Sequence, residues 1–303
     1  MFAIQTSAVN KQFRRVRAVR DVSLEVEEGA VYALMGPNGA GKTTLIKLLM
    51  NLMSPTDGKI SVLGLDASHL EGRRLESIGY VSENQKLPNW MTVGRFLAYC
   101  RPFYPTWDIA LEQHLVKRFD LPLKRRLKHL SRGERMKAAL ISALAFHPRL
   151  IVLDEPLSGL DPLVRDDLIE SLRQRAAEST VLLSSHDLAE IESYSSHIGY
   201  MDRGHLLISE PLSSVRARFR RVAVSGSAPL SIPAAPPAEW LHFTSNGATA
   251  RWIETAWDPE RSAAKAREVF GTVEVSADPI PLREVFLTMA RSARPSAPAG
   301  RQQ

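Results

Sequence analysis

The stretch GPNGAGKT, residues 36–43, decides how this chain is read. Gly36, Pro37, Asn38, Gly39, Ala40, Gly41, Lys42 and Thr43 fit the pattern G-x-x-x-x-G-K-[ST]. The apolar run VYALM (Val31–Met35) before it reads as a buried strand, and Thr43–Met50 after it carries helical periodicity. Strand, glycine-rich turn and helix together aim backbone N–H groups and a positive helix end at one point, so the segment is expected to cradle phosphates. Lys42 stands where it reaches the outer phosphates of a nucleotide, the Thr43 hydroxyl where it ligates Mg2+, and Thr44 is counted with the loop as nucleotide-binding.

Downstream, LIVLDE (Leu150–Glu155) is an apolar strand that ends in two acids. Asp154 then sits at the carboxyl end of the sheet, where it can hold Mg2+ in its outer shell, and Glu155 follows beside that metal, placed to polarise a water for attack on the γ-phosphate. SGLD (Ser158–Asp161) makes a turn, with Pro162 opening the next helix, and His186 follows the strand VLLSS. A histidine after a strand is usually structural; from the same sheet edge as Asp154 and Glu155, His186 can touch the γ-phosphate or orient Glu155. LSRGE (Leu130–Glu134) contains S-x-x-E, a helix capping box, and the same helix start offers an anion site built from N–H groups and the Ser131 hydroxyl.

Composition sets the frame. The 303 residues are 44% apolar and 24% charged with a net charge of +6, the profile of a globular protein rather than a disordered or fibrous one. That surplus is no nucleic-acid signature, and Arg14–Arg20 and Lys124–Lys128 read as solvated faces near an anionic nucleotide or membrane. No nucleic-acid partner is expected. The single cysteine, Cys100, fits a reducing compartment, the opening MFAIQTSAVNKQF lacks the character of a secretory leader, and no apolar run approaches the ~20 residues of a membrane span. The expected location is cytoplasmic, with any membrane role through a partner.

Short β-branched runs alternate with helical patterns over the first ~210 residues, predicting an α/β domain with a largely parallel sheet. Residues ~88–149 read as mostly helical, with Thr92 as an N-cap. Residues 225–238 are rich in Ser, Ala and Pro and read as a linker. Beyond it LHF, ATARWIE and GTVEVSA read as strands, and Pro259–Phe270 and Leu282–Ala290 as helices. The expected division is a domain over 1–215 with a helical subdomain at about 88–149, a small α/β domain over 216–290, and a disordered tail over 291–303.

GPNGAGKT, LSRGE, LIVLDE, SGLD and a histidine after a strand, in this order over residues ~2–215, resemble the nucleotide-binding subunit of ABC transporters. The resemblance implies a P-loop NTPase fold of the ABC type, with ATP and Mg2+ as ligands. It implies two cassettes closing head to tail over two ATP molecules, as a homodimer or a heterodimer with a second ABC ATPase. By match, Ser131 and Gly133 would contact the γ-phosphate across that dimer, and Asp161, in the D-loop, counts among the nucleotide-binding residues. Phe13, in NKQF, matches the aromatic that stacks on adenine. Glu83, in GYVSEN, stands where the family has a glutamine that senses Mg2+ and couples to the membrane partner, with Gln85 the lesser candidate. Two departures lie in the signature, LSRGE, where Arg132 and Glu134 stand in place of Gly and Gln; Ser131 and Gly133 remain, so the site is expected to survive. FYPTWD (Phe103–Asp108) is similar to segments of ATPase subunits of bacterial multi-subunit exporters, which implies an integral-membrane permease as partner and export as the work done. The C-terminal module is similar to extensions of such subunits, where a dimer-stabilising or packing role outweighs ligand sensing. A phosphate-loop kinase or GTPase is the competing enzyme reading and has no use for LSRGE. A soluble ABC protein of ribosomes or DNA is the other; it calls for two cassettes or a long coiled coil, and neither is present in the sequence.

Overall fold

The computed structural model describes residues 1–158, 160–176, 178–188, 192–231, 233 and 235–293. The chain divides into two compact units, one over Met1–Ser209 and one from Glu210 onward.

In the first unit the continuous apolar runs form the centre of a six-stranded sheet. Its order is His205–Pro211, His197–Asp202, Val31–Met35, Thr180–Ser185, Leu150–Asp154, Ile78–Val81. Every residue of the strands Val31–Met35, Leu150–Asp154 and Thr180–Ser185 is buried, as a parallel strand covered on both faces requires. Parallel register sets Met35 against Ser185 and Asp154 against Ser184. The carboxyl ends of three neighbouring strands therefore open at one edge, the place where open α/β sheets bind ligands. The helix Lys42–Leu49 starts there and buries Leu45, Ile46, Leu48 and Leu49 in the core with Leu34 and Val152.

A second sheet, all antiparallel, is built from Phe2–Phe13, Val16–Val22, Glu25–Glu27, Asp57–Val62 and Leu65–Asp66. Sequence periodicity does not announce it. Its longest strand slips register between Val9 and Gln12, and Ala8 has φ +50°, so the two-residue alternation is broken. The expected helical stretch holds the helices Val93–Cys100, Ile109–Arg118 and Arg132–Leu144. Thr92 caps the first, its hydroxyl accepting from the Arg95 N–H; Asp108 caps the second; Ser131 and Glu134 form a complete capping box on the third.

The second unit carries a four-stranded antiparallel sheet in the order Trp240–Asn246, Thr249–Glu254, Arg220–Ser225, Glu274–Pro279, with the helices Pro259–Phe270 and Leu282–Ser292. Its core is aromatic: Trp240 stacks on Trp252 at 4.1 Å and on Phe270 at 5.7 Å between centroids. Three differences from expectation stand out. The interior strand Arg220–Ser225 reads RRVAVS and hides its alternation behind two arginines. The boundary expected at 215 falls inside the helix Leu212–Arg218, where Arg218 grips Glu210 through Nε and Nη2. The last helix runs to Ser292, two residues past the expected end. The rest of the expected tail, from Arg294 on, lies outside the described residues, as does Gly159 of SGLD.

Candidate active site

The phosphate loop leaves the strand Val31–Met35 and turns on glycines. Gly36 has φ +151° and Gly41 φ +109°. A Cβ on Gly36 would meet the Met201 carbonyl oxygen at 2.2 Å, and one on Gly41 the Ala18 carbonyl oxygen at 2.3 Å, so both positions exclude any side chain. Gly41 is the N-cap of the helix Lys42–Leu49 and supplies no side-chain cap, which leaves the first N–H groups of that helix for an anion.

Lys42 is 5% exposed. Its ammonium donates to the Gly36 carbonyl at 2.7 Å and lies 3.1 Å from Glu155 Oε1. The second Glu155 oxygen, Oε2, meets His186 Nδ1 at 2.8 Å. A carboxylate oxygen only accepts, so Nδ1 carries the hydrogen of this bond and Nε2 is turned away from Glu155 on an exposed ring. Glu155 itself is 7% exposed with φ +51°, a backbone state costing about 1–3 kcal/mol for a non-glycine residue and characteristic of working sites.

Beside them the Thr43 hydroxyl donates to Asp154 Oδ1 at 3.1 Å. Ser184 donates to the same oxygen at 2.7 Å and accepts from the Glu155 N–H at 2.9 Å, tying the two acids to the neighbouring strand. Sequence reasoning passed over Ser184; the signal available was its place at the end of VLLSS, one strand over from LIVLDE. Tyr80 is a further neighbour whose phenol is pushed above its usual value by burial and by the Asp154 charge, which keeps it neutral.

A cleft of about 750 Å³ opens beside these groups, lined by Asn38, Gly39, Ala40, Gly41, Lys42, Thr43, Thr44, Glu83, Glu155, Ser158 and His186 together with Val16, Ala18 and three arginines. The structure therefore brings the GPNGAGKT loop, Glu155, His186 and Glu83 together. Phe13 does not line the cleft: it is 44% exposed, with the Lys11 ammonium 5.2 Å from its ring centroid. It pairs across the hairpin with Val16, which does line it. Ser131 and Gly133 lie outside the cleft of their own chain, and the Ser131 oxygen accepts from the Glu134 N–H. Asp161 is exposed and accepts from the Val164 N–H at a helix start. Arg132, one of the two departures in the signature, stands 3.7 Å from Glu83.

The ABC transporter family profile matches residues 19–158. An ABC transporter ATP-binding protein of Nostoc sp., itself uncharacterized, is 34% identical over 240 residues, 74% of this chain and 70% of that protein. The chain belongs to the ABC transporter ATP-binding family. A sulfate/thiosulfate import ATP-binding protein of Synechococcus elongatus is 34% identical over 66% of this chain and 60% of that protein. The structure of a bacterial Atm1-family ABC exporter with ATP bound aligns with a TM-score of 0.63, at 27% identity over 71% of this chain and 39% of that one. The cassette is thus an ATPase of the P-loop class and the ATP-binding subunit of a transporter, a kind that works with membrane permease components and dimerises. No helix among the described residues is long and apolar enough to cross a membrane. No group of three or more His, Cys, Asp and Glu side chains that could hold a metal occurs among the described residues.

Proposed function

We propose that this cassette hydrolyses ATP to drive export through a separately encoded integral-membrane permease, working as a head-to-tail dimer from the cytoplasmic face of the membrane. The observation that carries the catalytic part is the convergence of Lys42, Thr43, Asp154, Glu155 and His186 at one sheet edge.

In this reading Lys42 exchanges the Gly36 carbonyl and the Glu155 carboxylate for the outer phosphates, an exchange of charge-assisted bonds that keeps the buried ammonium paired. Release of Oε1 leaves Glu155 free to accept a proton from an attacking water while His186 holds Oε2 in place. The N–H groups at the start of the helix Lys42–Leu49 stabilise phosphate charge that is already organised before the reaction. The oxygen pair of Thr43 and Asp154 suits Mg2+, which is commonly held by one or two protein oxygens plus phosphates. When bound there, Mg2+ would neutralise charge on the phosphates. Glu83, on the same cleft, is assigned to sense that ion, and Phe13 to stack on the base.

Ser131 and Gly133 lie outside their own cleft, which supports their use by a second chain. Export, as opposed to import, rests on the likeness of the FYPTWD segment and the C-terminal unit to exporter subunits; the relatives of the cassette include both directions. The dimer is tested with the Glu155→Gln variant on size exclusion. With ATP it is expected to elute as a dimer and with ADP as a monomer, read on both the full chain and a chain ending after Phe219. A monomer under both conditions would contradict the sandwich.

A further inference from the structure

Arg17, Arg20 and Arg203 belong to no motif, and the first two sit in a basic run that reads as solvated surface. The structure gathers all three on the wall of the nucleotide cleft. They come from two places in the chain, a strand start and a hairpin tip. Arg20 N–H donates to the Gly204 carbonyl at 2.8 Å, and Gly204 N–H donates to the Ala40 carbonyl at 2.8 Å. The hairpin tip is thereby pinned to the phosphate loop, and Ala18, next to Arg17, presses its carbonyl against Gly41. Arg203 takes φ +49° to make this turn. The three arginines thus line the cleft from backbone that is fastened to the Ala40–Gly41 end of the loop.

None of the three has an acidic partner among the described residues; the one side-chain bond is from Arg20 Nε to the Arg17 carbonyl at 3.3 Å. The two acids on the cleft are held elsewhere, Glu155 by Lys42 and His186, and Glu83 near Arg132. Three exposed, uncompensated cations facing a phosphate site form a focus for anion binding. Lys42 and Thr43 already serve the outer phosphates in the reading above, and Val16 with Phe13 marks the base end. The stretch between them is where the arginines stand. We infer that Arg17, Arg20 and Arg203 form a cationic collar that binds the innermost phosphate of the nucleotide, the one attached to the ribose. This inference rests on the nucleotide reading of the cleft.

The experiment is binding of ATP, ADP, AMP and adenosine to the full chain, by calorimetry for the tight ligands and NMR titration for the weak ones. It compares wild type with the Arg17→Ala/Arg20→Ala/Arg203→Ala variant and with the same three positions changed to Lys. The alanine variant is expected to lose about tenfold in affinity for ATP, ADP and AMP alike at low ionic strength, the sum of three exposed charge contacts. The loss shrinks as salt rises, adenosine binding does not change, and the lysine variant retains most of the affinity. Unchanged affinities would overturn the collar, and so would a loss confined to ATP, which would move the arginines to the outer phosphates. Loss of adenosine binding as well would also overturn it, since that marks a structural role. If wild type binds none of the four, the nucleotide reading of the cleft fails. If wild type binds and Lys42→Ala removes ATP while the collar variant does not, only the collar fails.

Discussion

At Lys42 one ammonium stands between a backbone carbonyl and the carboxylate of Glu155, inside a loop that no larger residue than glycine can form at positions 36 and 41. Removing it takes a cation away from the phosphates and leaves Glu155 buried without its ion pair. Lys42→Ala is therefore expected to weaken ATP binding by at least about a hundredfold, equivalent to about 3 kcal/mol for charge-assisted bonds to two phosphates. Equilibrium binding to the purified chain checks this, and an unchanged affinity would remove Lys42 from the site. Much of this chemistry is legible in the residues themselves, because G-x-x-x-x-G-K-[ST] states a backbone shape and a charge at once. Ser184 is not legible: a serine at a strand end acquires its role only when parallel register sets it against Asp154. The places of Phe13 and Asp161 illustrate the converse. The structure shows Phe13 beside the cleft wall rather than in it and Asp161 capping a helix, so their nucleotide roles rest on the family pattern and on a second chain.

Among the elements, the helical subdomain is fastened by a polar cluster that sequence inspection does not find. Glu112 is 4% exposed and accepts from Arg101 Nε at 2.9 Å, Arg101 Nη2 at 2.7 Å and Trp107 Nε1 at 2.9 Å. It joins the helix Ile109–Arg118 to the turn that precedes it. Glu112→Gln keeps the shape but turns one acceptor into a donor facing donors. With Arg101 partly solvated, the expected cost is about 1–2 kcal/mol, seen as a melting temperature lower by a few degrees with ATP affinity unchanged. A variant as stable as wild type would show that the cluster fastens nothing. Near it, burial and the Glu112 charge push the Cys100 thiol up to about 11, so the one cysteine stays protonated at neutral pH. Element type was readable wherever one period persisted: VYALM, LIVLD and TVLLSS are fully buried strands, and the S-x-x-E start of the signature helix is a formed capping box. The antiparallel sheet was not, because register slips in its first strand spoil the alternation that would have revealed it.

For the molecule as a whole, the two units have separate cores, and the second holds a buried acid whose protonation is linked to its stability. In the second unit Glu254 is 2% exposed, and its Oε2 accepts from the Trp252 indole at 3.0 Å. Burial raises its carboxyl above the ordinary glutamate range, partly offset by the Trp252 bond. An acid raised on folding binds more protons in the folded state. Its favourable contribution is complete below the unfolded value of about 4.3 and is lost as pH rises through the folded one. Glu254→Gln removes that loss. Calorimetry is expected to show the variant melting above wild type at pH 7, with the gap closing toward pH 4. A gap that is the same at both values would place the effect in packing. The existence of this second unit was legible from the composition change after the cassette, whereas its first strand and its boundary were not, since RRVAVS and the Glu210–Arg218 clamp make sense only once the sheet is assembled.

In the proposed reaction Glu155 activates the attacking water, and the hydrolysis rate after its substitution tests that most directly. Glu155→Gln keeps the side-chain shape and leaves Lys42, Thr43 and Asp154 in place, so ATP should bind as well as to wild type or better. Steady-state phosphate release, measured on the same preparation as ATP binding, is expected to fall by about 10²–10⁴-fold, the range for loss of a general base. Hydrolysis at the wild-type rate, with binding intact, would contradict both the role of Glu155 and the reaction built around it.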